Sequence, residues 1–224
     1  MAQNHVAMLD LRKRMKIELL PGTALRSDSA AYTNLVHVVE PASKKSCVYR
    51  VNKIKTKLYL LRFAIDAEVW EQVADVNLAK NANLFLTLIP MFSGRFIAIL
   101  GDLQMRLYDT THREWVPCEL IKGSHPVVPR KYPGAFQLPF KFYKDRRAKL
   151  FKHLEFVMFN GGLPPPMPHM QHLSLSLLKV THLEHEDDLL LDPRAKYKAL
   201  INVRSLTTRL PIDDYFPLNH AFLM

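Results

Sequence analysis

The stretch Phe96-Ile-Ala-Ile-Leu-Gly-Asp-Leu-Gln-Met-Arg-Leu-Tyr-Asp109 decides how this chain is read. Phe96 to Leu100 is an unbroken apolar run with the length of a strand buried on both faces. Gly101-Asp102 then supplies a turn, because glycine accepts a positive φ and aspartate can bond its own backbone. From Leu103 the pattern becomes strict alternation: Leu103, Met105 and Leu107 on one face, Gln104, Arg106 and Tyr108 on the other. A period of two predicts a half-buried strand. It ends at Asp109-Thr-Thr-His-Arg113, where a carboxylate emerges beside two hydroxyls, an imidazole and a guanidinium. Asp109 with His112 and Arg113 can form an ion-paired corner or an acid/base pair. With no nucleophile in view, an enzyme is disfavoured.

Working outward, strands are expected at Leu35–Val39, Cys47–Ile54, Leu58–Ile65 and Leu84–Ile89 before this stretch. After it come Phe136–Tyr143, Leu154–Phe159, Leu173–Leu178 and Leu206–Leu210, with Pro139 marking an edge or a bulge. Asp66 reads as the N-cap of a helix from Ala67 to about Lys80, since Val69, Trp70, Val73, Ala74 and Val76 fall at helical spacing. A second short helix is expected from Asp192-Pro193 through Leu200. The 15 prolines mark many strand ends, and the seven glycines leave few hinges. The expected fold is therefore mainly β: a single-domain, jelly-roll-like β-sandwich with one or two short helices. Residues 1–34 read as a basic N-terminal arm carrying the Arg12–Lys16 cluster, 35–210 as the sandwich core and 211–224 as a C-terminal tail.

Charge narrows the partners. Against 21 Asp+Glu stand 31 Lys+Arg in 224 residues, a formal net charge of +10. Such a balance suggests a polyanion, either nucleic acid or an anionic membrane surface. Cys47 and Cys118 are too few for a disulfide framework, so a reducing compartment is expected. No uncharged apolar run approaches the roughly 20 residues of a spanning helix, so any membrane contact is expected to be peripheral. The opening Met-Ala-Gln-Asn-His has neither a signal-peptide layout nor the second-position glycine that N-myristoylation needs.

The histidines fall into two H-x-x-H pairs, His169/His172 and His182/His185, the second with Glu184 and Glu186 beside it. Such spacing can ligate zinc when one helical face makes the rings converge. Here a proline-rich loop and a strand flank them, so solvated loop histidines are expected, with no metal and no cofactor. Gly-rich phosphate loops, H-E-x-x-H and G-x-S-x-G are all missing from the sequence. Basic and histidine neighbours could lower the Cys118 pKa, but a small hydrophobe at a strand end is the expected role.

The strongest signal is basic. Lys122, Arg130, Lys131, Lys141, Lys144, Arg146, Arg147, Lys149 and Lys152 face a single acid, Asp145, across that span. Phe136, Phe140, Phe142, Tyr143 and Phe151 are interleaved with them. Cations that hold phosphates and rings on which bases stack are what sequence-independent single-strand binding requires. The phenylalanines are expected in the core; the cations are either a solvated face or the binding surface.

The order of these features resembles the plant-virus cell-to-cell movement proteins of the 30K superfamily. The residues that carry the resemblance are Val51-Asn-Lys-Ile54, Gly101, Leu103-Gln-Met-Arg-Leu-Tyr-Asp109, Phe140-Lys-Phe142 and Leu173-Ser-Leu175, over about residues 47–180. Where that family often carries Asp-x-Arg, this chain has Thr111, with Arg113 two residues later. The resemblance implies Gly101 and Asp109 as structural motif residues, a jelly-roll-derived fold and non-enzymatic, cooperative binding of single-stranded nucleic acid or viral nucleoprotein. It also implies a homo-oligomer, peripheral association with host membrane, and host plasmodesmal proteins as partners at plasmodesmata and in the cytoplasm. The alternative is a small viral matrix protein bridging nucleocapsid and membrane, a role that the basic Arg12–Lys16 cluster suits.

Overall fold

A computed structural model describes residues 6–10, 16–20, 35–78, 86–100, 105–124, 133–137, 153–160, 170–180, 192 and 194–206. The first two strands, β1 (Val6–Asp10) and β2 (Lys16–Leu20), pair antiparallel as a hairpin. A four-stranded sheet follows: β3 (Val36–Val39), β4 (Ser46–Ile54), β5 (Lys57–Ala64) and β6 (Val69–Asn77), each beside its sequence neighbour. The next sheet holds β7 (Thr87–Met91), β8 (Phe96–Leu100), β9 (Arg106–Asp109) and β10 (Glu114–Val116), again as a meander. The last sheet contains β11 (Cys118–Leu120), β12 (Pro133–Gln137), β13 (His153–Asn160), β14 (Met170–Lys179) and β15 (Tyr197–Leu206). Its order is β11-β15-β14-β13-β12, with β11 parallel to β15 and the other pairs antiparallel. The chain is mainly β, and no helix occurs among the described residues.

The β7–β10 sheet lies between the other two and carries a core on each face. Phe96, Ala98, Leu100, Met105, Leu107 and Val116 pack against Leu173, Leu175, Leu177, Tyr197, Ala199 and Ile201 of the last sheet. Ile97, Ile99, Leu88 and Tyr108 pack the other way, against Val36, Val38, Tyr49, Val51, Leu58 and Leu60. All five residues of β8 are buried, as the unbroken apolar run requires. The alternating strand departs from expectation. Leu107 faces one core while Tyr108, fully buried, faces the other, so β9 is covered on both sides rather than half-buried. A phenol reads as polar in a pattern, but its ring buries as much area as a large hydrophobe.

The expected helix from Ala67 to Lys80 is instead strand β6, reached by a turn over residues 65–68. The cause is a bulge: Leu60 pairs with Ala74 and Leu61 with Gln72, so Val73 is an extra residue on β6. One inserted residue shifts a period of two and leaves apolar residues three and four apart, which imitates a helix. The β-branched Val69, Val73 and Val76 favour the strand. The second expected helix, through Leu200, is likewise overturned. Asp192 closes a turn, its Oδ1 accepting from Arg194 N at 2.8 Å and its carbonyl from Ala195 N at 3.2 Å. The chain then enters β15 at Tyr197, where ten residues pair with β14. At Pro90 the strand expected to stop continues to Met91, because β7 is an edge and needs no amide donor on its free side.

Candidate functional site

Antiparallel register sets Asp109 opposite Phe96, at the end of β9, and the preceding residue Arg95 beside it. The two form a bidentate ion pair: Arg95 Nε donates to Asp109 Oδ1 at 2.9 Å and Nη2 to Oδ2 at 3.0 Å. Their side chains are 4% and 3% exposed, so the pair is desolvated. Arg95 also donates to the carbonyls of Asp192 and Ala195, at 3.3 and 3.0 Å, and tethers the turn before β15 to the central sheet. Its guanidinium lies 5.3 Å from the Phe96 ring centre and 5.8 Å from that of Tyr197.

Asp109 organises the turn that follows it. Oδ1 accepts from the backbone N–H of Thr111 at 2.8 Å and of His112 at 3.2 Å, and His112 Nδ1 lies 3.0 Å from Oδ2. Thr110 Oγ1 donates toward the carbonyls of Gly94 and Arg95, at 2.8 and 3.0 Å, closing the turn against its neighbour. Burial raises the Asp109 pKa, but the bonds from Arg95 and His112 outweigh it and hold the carboxyl below its ordinary value. A carboxylate offers about four lone-pair sites. With Arg95 twice, two amides and an imidazole on them, this one has no capacity left for a substrate.

The ion-paired corner therefore exists, but with a different cation. His112 belongs to it; Arg113 turns away to Glu71 at 3.6 Å, and Arg95 supplies the guanidinium. Sequence reasoning passed over Arg95. A signal was present, since a lone charge against an apolar strand is buried only when paired. The same signal marks a second site. Glu40 Oε1 and Oε2 accept from Arg62 Nε and Nη2 at 2.6 and 3.0 Å, with Tyr49 and Ser43 hydroxyls completing the set at 2.5 and 2.7 Å. Arg62 continues to Glu71 at 2.7 Å, so one chain of charges joins Glu40, Arg62, Glu71 and Arg113. Burial works against the Glu40 charge, yet these donors lower its pKa to about 2.

Of the nine basic residues from Lys122 to Lys152, only Lys122 is described. It is exposed on a turn where Ser124 N donates to Ile121 O at 2.9 Å and Gly123 adopts φ +83°. Arg130, Lys131, Lys141, Lys144, Arg146, Arg147, Lys149 and Lys152 lie outside the described residues, as do Gly101, Pro139, His169, His182 and His185. His172 sits half-buried on β14, opposite Val157 and Arg204 in register. Burial, not a basic neighbourhood, governs Cys118 and pushes its thiol up to about 11, which suits the small-hydrophobe role. The chain matches no protein-family model and no curated protein sequence.

Proposed function

We propose that this chain is a viral movement protein, which binds single-stranded nucleic acid or nucleoprotein without catalysis and carries it through plasmodesmata. The observation that carries the reading is the segment from Lys122 to Lys152, with nine cations, one acid and six interleaved aromatic residues. Phosphates need the first and bases the second. The saturated carboxylate of Asp109 supports the same reading. At the strand end where the resemblance has a characteristic aspartate, it fixes a turn and a sheet-to-sheet tether, a building role.

A salt titration on single-stranded RNA tests this. Each phosphate contact steepens the fall of log affinity with log salt by about 0.7 on single strands. Replacing Lys144, Arg146, Arg147 and Lys149 together by Gln is expected to flatten the slope by roughly 2–3 units and to weaken binding to all sequences alike. Binding to anionic vesicles should fall less, because that attraction is spread over the whole basic surface. An unchanged RNA slope with lost vesicle binding would support the matrix-protein reading instead.

A further inference from the structure

The chain enters its basic segment from the edge of the last sheet, and hydrogen bonds to β15 fix the place. Ala199 N donates to Pro117 O at 2.8 Å and Ile121 N to Ile201 O at 2.9 Å, as the parallel ladder of β11 on β15 requires. At the next step a side chain takes over: Val203 N donates to Ser124 Oγ at 2.7 Å. The same hydroxyl lies 3.2 Å from Asn202 Oδ1 and 3.4 Å from Ile201 O, either of which can accept its proton. Ser124 N closes the turn on Ile121 O at 2.9 Å, with Gly123 at φ +83°, and Lys122 is exposed on it. The first cation of the segment is thereby anchored to β15 at Asn202 and Val203.

Two residues beyond Asn202 stands Arg204. Ile201 and Val203 belong to the core, so strand alternation turns Asn202 and Arg204 to the outer face. One repeat of that alternation is about 7 Å, which leaves Arg204 within side-chain reach of the Lys122 turn. Arg204 is exposed, and neither it nor Lys122 has a carboxylate partner among the described residues. Lys196 and Lys198, earlier in the chain, differ: they pair with Glu114 at 2.8 Å and Glu119 at 3.9 Å.

Apolar exposure divides this outer face. Leu178 and Val180, 36% and 53% exposed, lie at the end that carries Lys198 and Lys196. At the other end register sets half-buried Ser174 beside Asn202 and half-buried His172 beside Arg204, with Ile121 the exposed apolar neighbour of Lys122. A polar end with two cations suits a polyanion better than a lipid surface. We propose that Arg204 is a phosphate-binding residue acting with Lys122, and that a nucleic-acid strand crosses the edge of the last sheet at this end. The proposal rests on the nucleic-acid reading above and adds to it a residue far outside the Lys122–Lys152 segment. The planar guanidinium can bond two phosphate oxygens at once, whereas the Lys122 ammonium acts as a point charge.

The test is a salt titration of the full chain on a fluorescein-labelled oligouridylate. Loss of one phosphate contact flattens the slope of log affinity against log salt by about 0.7. Counted from 1 M salt, where counterion release contributes nothing, that is about fivefold weaker binding at 0.1 M. Arg204→Gln and Lys122→Gln should each show this, and the double variant should flatten the slope by about 1.4. Arg204→Lys should keep the parent's slope yet bind more weakly, because the charge remains and the fork is lost. Arg194→Gln removes the same charge from an exposed turn before β15 and should leave the slope unchanged. All these side chains are exposed, so each variant should melt as the parent does. A parent without salt-dependent RNA binding would overturn the nucleic-acid reading and this proposal with it. A parent that binds with a steep slope while Arg204→Gln changes it no more than Arg194→Gln does would overturn this proposal alone. Binding to phosphatidylserine vesicles lost in Arg204→Gln, with the RNA slope intact, would assign the residue to a membrane instead.

Discussion

Asp109→Leu leaves the Arg95 guanidinium buried without its counter-charge, and Arg95→Met does the converse to the carboxylate. With both side chains under 5% exposed, water cannot replace the lost partner. Breaking one side of such a pair costs about 3–5 kcal/mol. Asp109→Leu also releases the Thr111 and His112 amides, and Arg95→Met releases the Asp192 and Ala195 carbonyls, each worth on the order of 1 kcal/mol. The double variant removes both charges at once and is expected to be less destabilised than the sum of the singles by about 2 kcal/mol or more. Equilibrium urea unfolding, followed by far-UV circular dichroism, gives the three differences. A domain of this kind has only about 5–15 kcal/mol in total, so each single variant should also lose soluble yield. Single variants costing under about 1 kcal/mol, or a double equal to their sum, would refute the idea that this corner holds the sheets together.

The Glu40 carboxyl has a folded pKa of about 2 against an ordinary 4.5. Because the folded value is the lower, its contribution is fully present above 4.5 and is lost as pH falls from there toward about 2. A pH series of urea midpoints should show that acid loss, and Glu40→Gln should shrink it; an unchanged acid limb would contradict the assigned bonds. Gly94→Ala should destabilise by at least about 1 kcal/mol, because φ is +84° and the new Cβ would meet Val38 Cγ1 at 2.6 Å and Val39 O at 3.0 Å. A thermal melt identical to that of the parent would exclude this close approach of β3 to the turn between β7 and β8.

The fold was legible where one local pattern decided it. Phe96–Leu100 has no polar residue to place outward, so burial on both sides was the available solution, and a core on each face supplies it. The strand Leu103–Tyr108 misled because Tyr108 was assigned to water by its hydroxyl, whereas a second sheet covers its ring. Val73 misled more deeply: an inserted residue in a strand and a helical turn give the same apolar spacing over ten residues, and only pairing with β5 separates them. Asp109 was legible as one side of an ion-paired corner with His112. Its real counter-charge was not, since Arg95 lies fourteen residues earlier and meets it only through the β8–β9 register. Arg113, nearer in sequence, points to Glu71 because the turn carries it to the other face. The basic segment rests on the sequence, as its members beyond Lys122 fall outside the described residues.

The proposed function is tested most directly by movement complementation. A plant virus lacking its own transport protein is supplied with this chain, and the spread of infection from single cells is scored beside the Lys144, Arg146, Arg147 and Lys149 to Gln variant. Restored cell-to-cell spread is expected, with the variant accumulating to the parent's level yet spreading poorly. Infection confined to single cells despite accumulated protein, together with abundant chain in purified virions, would contradict it.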